Sequence, residues 1–233
     1  MQASQNAQCL HCLCPTMPRA HTVPPRPYHH GNLRQALIEA TLALAEETGI
    51  EQVSLREVAK RVGVSSGAPF RHFADKRALM TAIAEEATRQ LRLMVERDQH
   101  ACSGTAADRL KALGHSFLAW ATGHPTQFRL VSNRALFDFA ASPSLAGHFA
   151  VVRELTVQLV EQAQREGALP ASQQAAELAL ALRGSAYGLA RMAVDGQLPQ
   201  WNVASSDQAA VLRRSLDLIV DAMTRATPST PRP

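Results

Sequence analysis

Val53-Ser54-Leu55-Arg56-Glu57-Val58-Ala59-Lys60-Arg61-Val62-Gly63-Val64-Ser65-Ser66-Gly67-Ala68-Pro69-Phe70-Arg71-His72-Phe73 reads as two short helices joined by a tight turn. Ser54 and Glu57 have the spacing of a capping box, in which each side chain satisfies an amide at a helix start. Val53 and Val58 are placed for a hydrophobic staple, and Leu55, Val58, Ala59 and Val62 fall on one helical face. Gly63 is suited to the left-handed residue that ends such a helix. Ser65 or Ser66 is expected to cap the second helix, with Pro69 tolerated in its first turn. Phe70 and Phe73 lie three residues apart, so at least one faces inward.

A helix, a glycine turn and a second short helix form the helix-turn-helix pattern, whose second helix enters the major groove of DNA. The charge agrees. Between Val53 and Arg77 stand Arg56, Lys60, Arg61, Arg71, Lys76 and Arg77 against Glu57 and Asp75. Six minus two gives +4, equal to the formal net charge of the whole 233-residue chain. Basic side chains gathered on one small module are the footprint of phosphate binding.

Working outward, Leu33, Leu37, Ala40, Leu44 and Ala45 mark one face of a preceding helix, ended at Gly49. Three helices of about 45 residues then make a compact DNA reader. Residues 1–27 hold five prolines and no apolar period, and are expected to be a disordered tail. Downstream, Asp75 is placed to cap a fourth helix that runs to about Gln99, and Thr105 with Asp108 starts a fifth. Pro125 opens a short sixth through Leu130, and Ser142-Pro143 a long seventh that stops at Gly167. An eighth is expected from Pro170 or Ser172 to Gly196, and a ninth from Ser206 or Asp207. The predicted fold class is all-α, with about nine helices: an N-terminal three-helix DNA-binding domain (28–78), a larger C-terminal helical regulatory and dimerisation domain (79–226), and a loose end (227–233).

Composition narrows the classes. Apolar residues make up 46% of the chain and aromatics only 5%, which favours helices packed on helices. No apolar run reaches the roughly 20 residues needed to cross a bilayer. Cys9, Cys12 and Cys14 beside His11 can be read as a zinc knot, but no second ligand pair follows at finger spacing, and no metal or cofactor is expected. The cysteine pattern is not a disulfide framework, which points to a reducing cytoplasm. No nucleotide-binding glycine loop, nucleophile elbow or zincin spacing occurs, so the chain is not expected to be an enzyme.

The stretch from Tyr28 to about Leu91 resembles the tetracycline-repressor (TetR/AcrR) family of bacterial transcription regulators. The likeness rests on His30-Gly31-Asn32-Leu33-Arg34, Ser54-Leu55-Arg56-Glu57-Val58-Ala59, Gly63-Val64-Ser65, Gly67-Ala68-Pro69-Phe70-Arg71-His72-Phe73, Asp75-Lys76 and Leu79. The family usually carries Tyr at Phe70, whose hydroxyl reaches a DNA phosphate. The second half resembles the subgroup whose regulatory domain is named after Trp, His and Gly; here Arg183 and Tyr187 stand at the first two positions and Gly188 is kept.

The resemblance and the motif geometry together imply a DNA-facing set of Ser65, Ser66, Gly67, Ala68, Pro69, Phe70, Arg71 and His72, with Arg56 and Lys76 on the phosphate backbone. They also imply a homodimer on a palindromic operator, built through the last two helices, where Ala181, Gly184 and Gly188 allow close approach. An effector pocket enclosed by the fifth to eighth helices is implied too, lined by Phe117, Trp120, Phe128, Arg183 and Tyr187, with Phe137 and Phe149 as further candidates. The expected function is a DNA-binding transcriptional regulator, a repressor released by a small-molecule effector and acting on the cytoplasmic nucleoid. The alternatives are a constitutive helical DNA-binding protein with no effector, or a helical metal-binding protein or enzyme.

Overall fold

The computed structural model describes residues 33–225, so Cys9, Cys12, Cys14, the tail at 1–27 and the end at 227–233 lie outside the described residues. Within that span the protein is all helical. Its elements are α1 (Leu33–Thr48), α2 (Leu55–Val62), a 3-10 turn (Ala68–Arg71), α3 (Lys76–Ala101), α4 (Ala106–Gly123), α5 (Pro125–Ser132), α6 (Pro143–Arg165), α7 (Ala175–Val194) and α8 (Gln208–Arg225). Short 3-10 turns at Leu198–Trp201 and Ser205–Asp207 link the last two helices.

Local chemistry sets most of the boundaries. The Ser54 hydroxyl accepts the Glu57 amide at 3.2 Å, and the Glu57 carboxylate accepts the Ser54 amide at 3.1 Å, closing the capping box. Gly63 ends α2 at φ 81°, in the left-handed region that only glycine enters without strain. Thr105 and Asp108 form a second reciprocal box at the start of α4. Ser142 caps α6 by accepting the Leu145 amide at 3.1 Å, just ahead of Pro143. The helix expected from Pro170 or Ser172 starts later, at Ala175, after Gln174.

The third helix of the motif departs from expectation. It is a single 3-10 turn, and Gly67 rather than a serine is its N-cap, with no side-chain cap bond. The reason lies in the amides. Ala68 gives its N–H to the Ser65 carbonyl at 2.9 Å, and Pro69 has none to give. The two amides that a Ser66 side chain would cap are therefore unavailable. The turn is closed by the amides of His72 and Phe73, both donating to the Pro69 carbonyl at 2.9 Å. Eight α-helices result among the described residues, against about nine expected.

The head packs on one apolar cluster that includes Leu37, Ile38, Val58, Phe73 and Met80. Each such side chain contributes about 1.5–3 kcal/mol when withdrawn from water. Leu130, Phe137 and Leu145 belong to the same cluster, so the segment between α5 and α6 packs directly against the head. The Asp138 amide donates to Thr81 Oγ1 of α3 at 2.9 Å and strengthens that joint. Arg134 seats the same segment on α6: its guanidinium carbon lies 3.9 Å over Phe139 and 5.1 Å over Phe149.

In the body, α4 packs against α3, α6, α7 and α8. One apolar cluster gathers Phe117, Trp120, Phe128, Ala186 and Leu216; another gathers Leu110, Leu159, Leu178 and Val220. α3 is continuous from Lys76 at the head to Ala101 in the body. No described helix is long and apolar enough to cross a membrane.

Candidate nucleic-acid interface and ligand cavity

The 3-10 turn stands at the surface because its inward anchors are few and strong. Pro69 and Phe73 are buried beneath it, while Phe70 is 52% exposed. Ser65, Ser66, Gly67, Arg71 and His72 are exposed and Ala68 is half-buried, which leaves one continuous outward edge. Pro69 was expected on that edge; the structure turns it inward, where it supports the turn instead of facing a ligand.

Arg56 and Lys60 are exposed on the polar face of α2. Arg61 is instead paired with Glu47 of α1 through two guanidinium nitrogens, an ion pair that lowers the Glu47 carboxyl and raises the arginine. Lys76 donates from Nζ to the Glu51 carbonyl at 2.6 Å, so it fixes the start of α3 against the α1–α2 loop. Its ammonium has two further donors. Arg34 covers the Phe73 ring at 5.5 Å. The outward edge thus carries hydroxyls, a phenyl ring and cations, the groups that meet phosphates and base edges in a duplex.

Two depressions bear on the site. The larger, about 490 Å³, is an open groove between the head and the start of α6, reached by Arg34, His72, Arg77, Glu85 and Asp138. The smaller, about 40 Å³, lies among α3, α4, α6, α7 and α8. Leu91 and Val95 of α3 form one wall, Leu113 and Phe117 of α4 another, and Leu182 with Arg183 of α7 a third.

This cavity corrects the expected lining. Only Phe117 and Arg183 of the five candidates reach it. Trp120 and Phe128 are buried in an aromatic cluster whose rings meet edge to face at 6.3 Å. Tyr187 packs on Phe128 at 5.6 Å. Phe137 is buried in the head cluster and Phe149 holds Arg134. Large aromatics fill interior volume most completely, so they become core, while the void is left among smaller aliphatic side chains. Leu91, Val95, Leu182 and Leu216 were missed as lining residues because an apolar stripe does not say which of its members meets a gap.

Arg183 keeps solvent-accessible surface as a residue, yet its guanidinium carbon sits 4.3 Å over the buried Phe117 ring. No carboxylate among the described residues pairs with it. Burial pulls it below the ordinary arginine value, with Tyr187 acting in the opposite direction.

On α7 and α8 a different surface is exposed. Leu180 is 71% and Leu218 63% exposed, and a Cβ built at Gly184 or Gly188 would meet no atom within 4 Å. The small residues therefore clear no room for this chain's own side chains.

An outward, basic helix-turn-helix edge carried on an all-helical body defines a DNA-binding regulator. Residues 37–83 match the family described as bacterial regulatory proteins, tetR family, and residues 110–224 match the tetracyclin repressor-like C-terminal domain. The chain belongs to the TetR family of bacterial transcriptional regulators. It is 35% identical over 170 residues to the HTH-type transcriptional regulator BetI of Escherichia coli O139:H28, covering 70% of this chain and 78% of that one. The BetI of Shigella flexneri serotype 5b is similar to the same extent. Among solved structures, a protein of unknown function from Rhodococcus sp. RHA1 superposes with a TM-score of 0.71 at 28% identity, over 86% of this chain and all of that one. A tetR-family regulatory protein from Rhodococcus RHA1 shares the fold, with a TM-score of 0.63 at 15% identity, over 82% of this chain and 97% of that one.

Proposed function

We propose that the protein is a homodimeric, ligand-responsive repressor rather than an enzyme. In this reading residues 28–78 read a palindromic operator and residues 79–226 hold the effector and the dimer contact. It acts on the nucleoid in the cytoplasm, where its DNA target lies. The outward edge from Ser65 to His72 enters the major groove, with Arg56 and Lys76 on the flanking phosphates.

The observation that carries the regulatory part is the continuity of α3. Lys76 at the DNA end and Leu91 at the cavity wall share one helix, about 22 Å apart at ~1.5 Å per residue. A ligand that parts Leu91 and Val95 from α4 tilts that helix, and the tilt moves the head. In a two-fold dimer this changes the spacing of the two reading edges, and the operator favours one spacing. The coupling equals the effector's differential affinity for the two spacings, typically ~1–3 kcal/mol.

The exposed Leu180 and Leu218, with the open Gly184 and Gly188, support a dimer through α7 and α8. Gly184 and Gly188 are four apart on one face, so a partner helix can approach closely.

The test is selection of bound sequences from random duplex DNA, followed by a small-molecule screen for release. A palindrome with half-sites one or more DNA turns apart is expected; recovery of unrelated sequences sinks the operator reading. A second reading is favoured by the cavity's small volume: a constitutive DNA binder with no effector. It stands if no metabolite fraction releases the selected operator.

A further inference from the structure

The cavity wall is apolar apart from two side chains, Thr156 and Arg183. The Thr156 hydroxyl gives its proton to the Val152 carbonyl at 2.7 Å, so it presents only acceptor lone pairs. Arg183 is therefore the one side-chain donor on the wall and its one charge. Its contact with Phe117 engages the face of the ring, and the N–H donors lie in the guanidinium plane, where they stay available. Arg183 is exposed as a residue and also borders the cavity, so a carboxylate that meets its donors in plane gains a charge-assisted pair.

We propose that the effector is a small monocarboxylic acid with a compact apolar body. Its carboxylate takes the Arg183 fork, and its hydrocarbon lies against Leu91, Leu182 and Leu216. The inference rests on the effector reading above and adds the ligand's chemistry. One guanidinium balances one negative charge, and no second cation on the wall supports a dianion such as a phosphate monoester. A cationic ligand meets like charge and finds no carboxylate. The cavity of about 40 Å³ requires the aliphatic side chains to part as the body enters, which is the movement that the α3 linkage transmits.

The experiment is calorimetric titration of the full chain with matched pairs: hexanoate and hexanamide, benzoate and benzamide, phenylacetate and phenylacetamide. Release of the selected operator is followed in parallel. At least one carboxylate should bind at least about tenfold more tightly than its amide and release the operator. In Arg183→Leu that carboxylate should lose about ten- to a hundredfold in affinity, the weight of a charge-assisted pair, while the amide is unaffected. Arg183→Lys should recover part of the loss. The carboxylate–amide comparison in the parent chain stands even if Arg183→Leu fails to fold. Equal binding of acid and amide, or no binding of any acid, overturns the carboxylate assignment. If other metabolites still release the operator, the effector reading survives that result; if nothing does, both fall.

Discussion

Gly114 of α4 faces Leu216 of α8 so closely that a Cβ on the glycine would lie 2.2 Å from Leu216 Cδ2. Leu216 is itself buried and cannot swing into solvent. This crossing sets how near α8 comes to the cavity, because both residues stand on its wall. Gly114→Ala should therefore overpack the site and destabilise the fold by about 1–3 kcal/mol, despite the better helix propensity of alanine. Urea unfolding of the protein checks it, and an unchanged midpoint would show that α8 yields freely. Leu216→Ala should cost about 2–5 kcal/mol by leaving a cavity.

The box at the start of α4 makes a pH-dependent contribution. The Thr105 hydroxyl and then the Thr105 amide hold the Asp108 carboxyl below its ordinary value of 3.8. A lowered folded-state value means that the stabilisation is fully present above the unfolded value. It fades as pH falls through the folded one. The stability gap between the parent chain and Asp108→Ala should be constant from neutral pH down to about 5, then close at lower pH. Thermal melts across that range test the sign. A gap that widens on acidification would mean that the carboxylate is not what caps the helix.

Proposed phosphate contacts are separable by salt. Arg71→Ala and Arg56→Ala should each weaken operator binding across all sequences and reduce the slope of log affinity against log salt by about 1. Lys76→Ala should do this and also loosen the start of α3, because Nζ holds the Glu51 carbonyl. Its effect should exceed that of Arg56→Ala when thermal stability is measured beside affinity. Parallel salt series for parent and variants would remove these residues from the interface.

Phe70 has no hydroxyl to offer a phosphate, yet it is exposed at the reading edge. An exposed phenyl in a major groove is suited to the 5-methyl of thymine. Replacing thymines of the selected operator by uracil, one at a time, should weaken binding at a position in each half-site. The loss should vanish in Phe70→Ala. If every uracil substitution is neutral, Phe70 makes no such contact.

Much of the head was legible because its signals are local. The Ser54–Glu57 box and the Gly63 stop depend on atoms three or four residues apart, so the pattern of letters carries the geometry. The same holds for Ser142 before Pro143 and for Thr105 with Asp108. The inward residue of the Phe70–Phe73 pair was left open by spacing alone; packing against α1 and α3 chose Phe73. The serine cap was wrong because the Ala68 amide is already given to the Ser65 carbonyl and Pro69 has no N–H, a competition between local bonds that residue type does not rank.

Sequence by itself determined the helical class, the order of the helices, the stops at glycine and the basic module that reads DNA. Each follows from periodicity, capping or charge along a short stretch of chain. Tertiary structure decided which side chains meet empty space. Trp120 and Phe128 became core, while Leu91, Leu182 and Arg183 came to share a wall across about 90 residues of sequence. Such a wall exists only where helices cross, and the crossing is set by close fits such as Gly114 against Leu216, which no single helix encodes.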